Sequence, residues 1–140
     1  MKVSEAMAKT LSTASPNDEI QQVANLMRRE GIGFIPITEG GSLVGVVTDR
    51  DIVVRCLAEG HEALHETAQH VMTSTGLCTV KPDDDLEKAA AMMREREVRR
   101  LGVVADGGRL IGVLSHGNLV QAMHGEGCAK EATVGVTRGA

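Results

Sequence analysis

The sequence contains an internal duplication, in which the second half of the chain repeats the first about 66 residues later. In both halves, apolar residues recur at i, i+3, i+4 and i+7, the spacing of an amphipathic helix. The first set is Ile20, Val23, Ala24 and Met27, and the second is Leu86, Ala89, Ala90 and Met93. The duplication predicts two similar halves, each too small at about 60 residues to close a core comfortably alone.

Each predicted helix is followed by a segment with the pattern of a β-hairpin. In both halves a pair of glycines separates two short apolar runs, which is typical of a hairpin turn. The runs lie at residues 35–37 and 43–48 around Gly40-Gly41, and at residues 101–104 and 110–115 around Gly107-Gly108. A further helix is predicted after each hairpin, from Asp51 to about Ala58 and from Asn118 to about His124.

The limits of the first helix are indicated by residues with strong backbone preferences. Ser15-Pro16 has the pattern of an N-cap followed by proline at the first helical position, and Pro82 occupies the same place in the second half. Gly31 suits the residue that ends a helix. The pattern predicts a helix that begins at Pro16.

The duplication divides the chain into a first motif at residues 1–60, a linker at 61–70, a second motif at 71–124 and a tail at 125–140. The linker is polar, and part of it is predicted to be helical. His61 and His65 have a spacing found in metal pairs, but solvated linkers commonly carry such residues, so no metal site is predicted. The tail, which includes Cys128, lacks periodicity and is expected to be flexible and exposed.

Composition excludes several classes of function. Phe34 is the only aromatic residue, which argues against modules that stack nucleic-acid bases. A net charge of −4 supplies no basic field for a polyanion. No apolar run approaches the roughly 20 residues that span a bilayer, and the first residues lack the apolar core of a signal peptide. We therefore expect no nucleic-acid partner and no membrane partner.

Cysteine usage favours a cytoplasmic location. Cys56, Cys78 and Cys128 are odd in number, widely spaced and without a CxxC pair. This pattern fits a reducing compartment better than a disulfide framework. Cys56, on the predicted helix after the first hairpin, is expected to pack as a small apolar side chain.

Thr48-Asp49-Arg50-Asp51 has two interpretations. Thr48 and Asp51 make a variant capping box that stabilises a helix and needs no ligand. The same side chains can also bind a ligand at the N-terminus of the helix. The Thr48 hydroxyl can donate to a phosphate or ribose oxygen, and the Asp51 carboxylate can accept both hydroxyl hydrogens of a ribose diol. The second copy, from Ser115 to Asn118, has an amide where the first has a carboxylate.

Taken together, these segments resemble the cystathionine-β-synthase (CBS) domain family, in tandem, over roughly residues 3–123. The resemblance is carried by residues 45–52, by Val98-Arg99-Arg100-Leu101 and by the doubled helix pattern. The order of segments is most similar to stand-alone bacterial CBS-pair proteins of the hypoxic-response type. It implies an α/β (α+β) fold of two pseudo-twofold-related motifs, each strand-helix-strand-strand-helix, packed through their sheets into one module.

The resemblance also implies a ligand and a set of site residues. CBS pairs commonly hold adenosine nucleotides in clefts between the motifs and form disc-like dimers. Thr48 and Asp51 match the residues that bind ribose in the family, and basic residues at the positions of Arg99 and Arg100 contact phosphate. The alternative for this arginine pair is a solvated position on a surface turn. Ser115 and Asn118 would form a second, poorer nucleotide site.

The two clefts are expected to be unequal. The first-half equivalents of the arginine pair are Gly33 and Phe34, which cannot hold phosphate. AMP, ADP or ATP is the expected ligand, with NAD or S-adenosylmethionine as alternatives that share adenosine. A structural interaction module with an empty cleft is the other alternative.

No catalytic constellation appears in the sequence. There is no GxSxG, P-loop, GxGxxG or HExxH motif, and no nucleophile with an evident base. We interpret the chain as a non-enzymatic regulatory module, a homodimer without a catalytic cofactor, that signals by conformational change to an effector protein in trans. A small enzyme acting on a nucleotide remains a further alternative.

Overall fold

The chain divides into two units that do not follow the order of the sequence. The first unit is Ser12–Leu77, and the second joins Met1–Leu11 to the residues from Cys78 onward. The computed structural model describes residues 1–9 and 11–124. The expected flexible tail at 125–140, with Cys128, lies outside the described residues.

The secondary structure is a mixture of helices and short strands, as the α/β class predicts. In chain order the elements are α1 (Val3–Ala6), α2 (Ile20–Glu30), β1 (Phe34–Glu39), β2 (Ser42–Thr48), α3 (Asp49–Asp51) with its π-helical continuation Ile52–Leu57, α4 (Ala68–Val71), β3 (Thr79–Val80), α5 (Leu86–Arg96), β4 (Arg100–Val104), β5 (Leu110–Ser115) and α6 (His116–His124). The mixed fold class is therefore confirmed.

Both predicted hairpins are present. Strand β1 pairs antiparallel with β2, and β4 pairs antiparallel with β5. The glycine pairs at the turns all have positive φ, between 59° and 86°, which side chains with a Cβ rarely adopt. In the second unit β3 adds a parallel strand to β4, and in the first unit the same place is taken by a single bridge between Ala14 and Ile37.

Each unit has its own hydrophobic core beneath its long helix. The repeated apolar positions that were predicted to face inward do so, and the most buried are Ile20, Val23, Met27, Leu86, Ala89 and Met93. Complete burial of one such aliphatic side chain contributes about 1.5–3 kcal/mol. Cys56 is fully buried in the first core, as expected.

The predicted start of the first helix is wrong. Helix α2 begins at Ile20, and Gln22 Oε1 accepts the N–H of Glu19 at 2.9 Å. Ser15 and Pro16 instead lie in a turn, because the Asp18 carboxylate accepts the Ser15 N–H at 2.9 Å and closes the chain before the helix. The predicted end is confirmed, since Gly31 caps α2 in the left-handed conformation with φ 66°.

The turn at Pro16 is a docking point for a short helix. Helix α4 donates the N–H groups of Ala68 and Gln69 to the oxygens of Asp18 and Pro16, at 2.8 and 2.9 Å. The second unit repeats this arrangement with a different segment, because there α1 docks on the turn before α5 through Val3 and Ser4, at 2.8 and 3.0 Å. The short helix at the start of the chain is thus part of the unit formed by the second half.

The placement of α1 and α4 differs from the linear order of motif, linker and motif that the sequence predicts. Residues 61–70 were assigned to a solvated linker, yet α4 begins at Ala68, which is fully buried in the first core. The motif boundaries at 1–60, 61–70 and 71–124 stay a prediction. The packing of residues 1–11 with the second half has no signal in local periodicity, because it depends on hydrogen bonds between distant segments.

The helices after the hairpins begin two residues earlier than predicted. Helix α3 starts at Asp49 and α6 at His116, because Thr48 and Ser115 are themselves the capping residues. Beyond Asp51 the chain winds as a π-helix to Leu57. A π-helical turn is uncommon and is often found at functional sites.

Candidate functional site

Thr48 and Asp51 form a reciprocal cap at the end of β2. The Thr48 N–H donates to Asp51 Oδ2 at 2.9 Å, and the Asp51 N–H donates to Thr48 Oγ1 at 3.1 Å. The predicted capping box is therefore confirmed. The Asp51 side chain is only 15% exposed, and its Oδ1 lies 3.8 Å from Arg55 Nε.

The Asp51 carboxylate has hydrogen-bond acceptor sites that the cap does not use. An ionised carboxylate has about four lone-pair sites, and the cap occupies one of them. The Oδ1 atom is not used by the cap and can accept further hydrogen bonds, as a vicinal diol would supply them. Such bonds to a charged acceptor are about twice as strong as neutral ones.

The second unit contains the same cap without the charge. The Ser115 N–H donates to Asn118 Oδ1 at 3.1 Å, and the Asn118 N–H donates to Ser115 Oγ at 3.0 Å. Beside this cap, His116 Nδ1 is buried and has no hydrogen-bond partner among the described residues. A buried nitrogen of this kind has unused capacity for a polar contact.

Arg99 and Arg100 lie next to the second cap in the backbone. Arg100 is the first residue of β4 and pairs with Ser115, and the Arg99 oxygen accepts the His116 N–H at 2.7 Å. The arginine pair thus belongs to the second unit, and the Thr48–Asp51 cap belongs to the first. That Arg99 and Arg100 bind the same ligand as the Thr48–Asp51 cap stays a prediction.

In the first unit the positions equivalent to the arginine pair are occupied by Gly33 and Phe34, which make backbone contacts. The Gly33 oxygen accepts the Asp49 N–H at 3.0 Å, and a Cβ at Gly33 would lie 2.6 Å from Asp49 Oδ2. Phe34 pairs with Thr48 in the strand ladder. In the first unit, the position equivalent to Arg99 thus lies against the exposed carboxylate of Asp49.

Sequence reasoning missed a cluster of side chains around Glu66. This carboxylate is 9% exposed and accepts hydrogen bonds from His61 Nδ1 and His70 Nδ1, both at 2.6 Å. The hydrogen bond from His70 is the largest cause that lowers the pKa of Glu66, and burial opposes it. The missed signal was a glutamate between two histidines in a stretch that was assigned to solvent.

A second missed residue is Arg55. Its Nη1 donates to the backbone oxygens of Val71 at 3.1 Å and Met72 at 3.3 Å, the last residue and the C-cap of α4. Those oxygens are at a helix end, where carbonyls lack partners within the helix. No local pattern connects residues this far apart in sequence.

The part of the chain that the structure describes offers neither a metal-ligand cluster nor a membrane-spanning helix. Within residues 1–9 and 11–124, no group of three or more His, Cys, Asp or Glu side chains is arranged to hold a metal ion. The exposed His65 side chain instead places its Nε2 atom 3.3 Å from Glu62 Oε2. The helices in the described part of the chain are all too short or too polar to cross a membrane.

Comparison with known proteins gives a curated relative of similar length. CBS domain-containing protein YhcV of Bacillus subtilis is 36% identical over 132 residues, which cover 94% of this chain and 92% of YhcV. Several other curated relatives are longer, and the chain spans 20–62% of their length.

Three solved structures share the fold closely. Hypoxic Response Protein I, with two coordinated zinc ions, is 26% identical at a TM-score of 0.78, and the match covers 89% of this chain and 98% of that one. CBSX2 in complex with AMP is 26% identical at a TM-score of 0.76, over 87% and 95% of the two chains. The CBS domain pair of protein MJ0100, in complex with 5-methylthioadenosine and S-adenosyl-L-methionine, is 25% identical at a TM-score of 0.78, over 89% and 97%.

The family assignment rests on both halves of the chain. The model of the CBS domain family matches twice, at residues 3–57 and 68–125, in agreement with the internal duplication. The two matches, the YhcV relationship and the structural neighbours all agree with the resemblance drawn from the sequence. The chain belongs to the CBS domain family.

Proposed function

We propose that this chain is a non-enzymatic regulatory module of the cytoplasm that binds an adenosine nucleotide and signals by conformational change. The observation that carries the proposal is the Thr48–Asp51 cap, in which a largely buried carboxylate keeps one oxygen outside the cap. The AMP complex of CBSX2 and the S-adenosyl-L-methionine complex of MJ0100 support it, because both ligands contain adenosine.

The proposal gives each site residue a role. Asp51 accepts the hydroxyl hydrogens of the ribose, and Thr48 contributes its hydroxyl. Arg99 and Arg100 contact phosphate, by analogy with basic residues at this position in the family. AMP, ADP and ATP are favoured as ligands over S-adenosylmethionine, because an arginine pair binds phosphate close to the nucleoside and S-adenosylmethionine has none. NAD also carries phosphate next to its adenosine and stays an alternative ligand.

Ser115 and Asn118 form the poorer second nucleotide site of the proposal. Their amide-based cap has no charge to strengthen a bond to a diol. We therefore expect the tight binding event to depend on the first cap. Occupancy of the second site would appear as a separate, weaker event.

Thermal unfolding against a panel of ligands tests the proposal. AMP, ADP, ATP, adenosine, NAD and S-adenosylmethionine are each added to the purified chain, with guanosine monophosphate as the control. A ligand at 100 times its Kd stabilises the folded state by about 2.7 kcal/mol, which is easily detected. Absence of a shift with every adenosine compound would favour the empty interaction module and reject the proposal. Product analysis after long incubation with nucleotide tests the alternative of a small enzyme.

The proposal includes a homodimer that acts on an effector protein in trans. Three neighbouring apolar side chains of the π-helix, Val53, Val54 and Leu57, are 46–59% exposed within the chain. An apolar cluster of this kind on a small protein is typical of an interaction surface. Light scattering at micromolar concentration tests the dimer, and a monomeric mass would contradict it.

A further inference from the structure

Arg55 lies between Asp51, which is proposed to bind the ribose, and residues 71–72 at the end of α4. Its Nε lies 3.8 Å from Asp51 Oδ1, the carboxylate oxygen that the cap does not use. Its Nη1 donates hydrogen bonds to the backbone oxygens of Val71 and Met72. One planar guanidinium therefore donates hydrogen bonds to the carbonyls at the end of α4 and forms an ion pair with the carboxylate.

The segment that Arg55 holds is attached to the strand that leads into the cap. Thr73 exchanges two backbone hydrogen bonds with Val46 of β2, at 2.9 and 3.0 Å. The Met72 side chain covers Gly45 so closely that a Cβ there would overlap its thioether. The carboxylate, the guanidinium, residues 71–73 and β2 thus form a closed ring of contacts.

The second unit contains the same kind of segment without an arginine. There, Ala8 exchanges two backbone hydrogen bonds with Val113, at 2.9 and 3.1 Å. Ala122 occupies the repeat position of Arg55, and an amide replaces the carboxylate. Docking of the segment therefore does not require a guanidinium. The charge of Arg55 occurs together with the charge of the carboxylate, which points to a role at the ligand site.

From this we infer that Arg55 is a positioning residue for Asp51 and transmits ligand occupancy to residues 71–73. The inference rests on the proposed function, since it takes Asp51 as the ribose ligand. A diol bound to the carboxylate restricts its rotation, which in turn restricts the guanidinium and strengthens its hold on the two carbonyls. Thermodynamic linkage then requires that loosening residues 71–73 lowers ligand affinity.

Calorimetry with AMP and adenosine tests the positioning role. The full-length chain is compared with Arg55→Ala and Arg55→Lys, and with Arg28→Ala as a control that removes the same charge from an exposed position on α2. Loss of a half-exposed ion pair predicts about two- to fivefold weaker binding of both ligands by Arg55→Ala. A loss for AMP alone would mean that Arg55 binds the phosphate, and would overturn the inference.

Hydrogen exchange of residues 71–73 tests the transmission. We expect AMP to slow exchange of the Thr73 amide in the parent chain and in Arg28→Ala, and to have no such effect in Arg55→Ala. Arg55→Lys keeps the charge but lacks the planar fork, so it is expected to retain part of the affinity and lose the slowing. An equal slowing in Arg55→Ala would overturn the inference.

A ligand-free cycle separates this inference from the proposed function. Asp51→Asn removes the charge that pairs with Arg55, so it is expected to speed Thr73 exchange in the parent chain and to add nothing in the Arg55→Ala background. Unchanged exchange in Asp51→Asn overturns the Arg55 connection even when AMP binds. A chain that shows this cycle and binds no adenosine compound overturns the proposed function and, with it, the ligand-dependent part of the inference.

Discussion

Replacement of Asp51 by asparagine separates the cap from the proposed ligand contact. Asparagine at this position can keep the amide oxygen as the cap acceptor, since Asn118 accepts the equivalent N–H at 3.1 Å in the second unit. The substitution removes only the negative charge. Asp51→Ala removes the charge and the cap acceptor together, and Asn118→Ala removes the cap acceptor of the second unit alone.

The structure gives a different expectation for each variant. Asp51→Ala and Asn118→Ala each remove the side-chain acceptor of the Thr48 or Ser115 N–H and leave the hydroxyl half of the cap in place, so each should lower the free energy of unfolding by about 1 kcal/mol. Asp51→Asn should cost less than about 1 kcal/mol, chiefly through the half-exposed pair with Arg55. The stability results alone thus report on the caps.

The affinity for AMP should follow the charge instead. A charge-assisted hydrogen bond contributes about 1.5–3 kcal/mol, so Asp51→Ala should weaken AMP binding by roughly tenfold to a hundredfold. Asp51→Asn keeps a neutral bond and should weaken it by about five- to tenfold. Asn118→Ala should barely change the tight binding event.

Calorimetry of AMP binding, paired with denaturant unfolding of each variant, provides the test. Equal losses of affinity from Asp51→Ala and Asn118→Ala would mean two equivalent sites and refute the expected asymmetry. Unchanged affinity in Asp51→Ala would leave Thr48 and Asp51 with the role of a helix cap only.

Three further predictions follow from charge and burial. Replacement of Arg99 and Arg100 by glutamine should weaken AMP far more than adenosine, with a difference that shrinks as salt rises; equal losses would exclude a phosphate contact. Because the pKa of Glu66 is lowered from 4.5, its ionised form adds stability above about pH 4.5 that is lost as pH falls through the folded-state pKa. Unfolding curves of Glu66→Gln should lack this loss, and an unchanged pH profile would contradict the cluster. Burial raises the pKa of the Cys56 thiol, so in a variant whose other cysteines are serine it should react with a disulfide reagent only on unfolding.

Local patterns in the sequence were sufficient for much of the fold and for one half of the candidate site. The helical faces under Met27 and Met93, the two glycine turns and the Thr48–Asp51 cap all agree with the structure. Each depends on residues within one or two turns of each other, so periodicity and backbone preference are enough to predict it. The prediction at Pro16 failed because proline is also favoured in turns, and a nearby carboxylate decided between the two.

The duplication, the elements of each half and the chemical types at the caps follow from the order of residues along the chain. Three further features depend on packing between distant segments. Helix α1 packs with the second half, Glu66 accepts hydrogen bonds from two histidines, and Arg55 contacts both Asp51 and residues 71–72. These contacts join residues without a fixed spacing, and several end on backbone oxygens, which every residue carries. Side-chain identity therefore cannot specify the partner, and the choice is made by which segments the packed cores bring within hydrogen-bond distance.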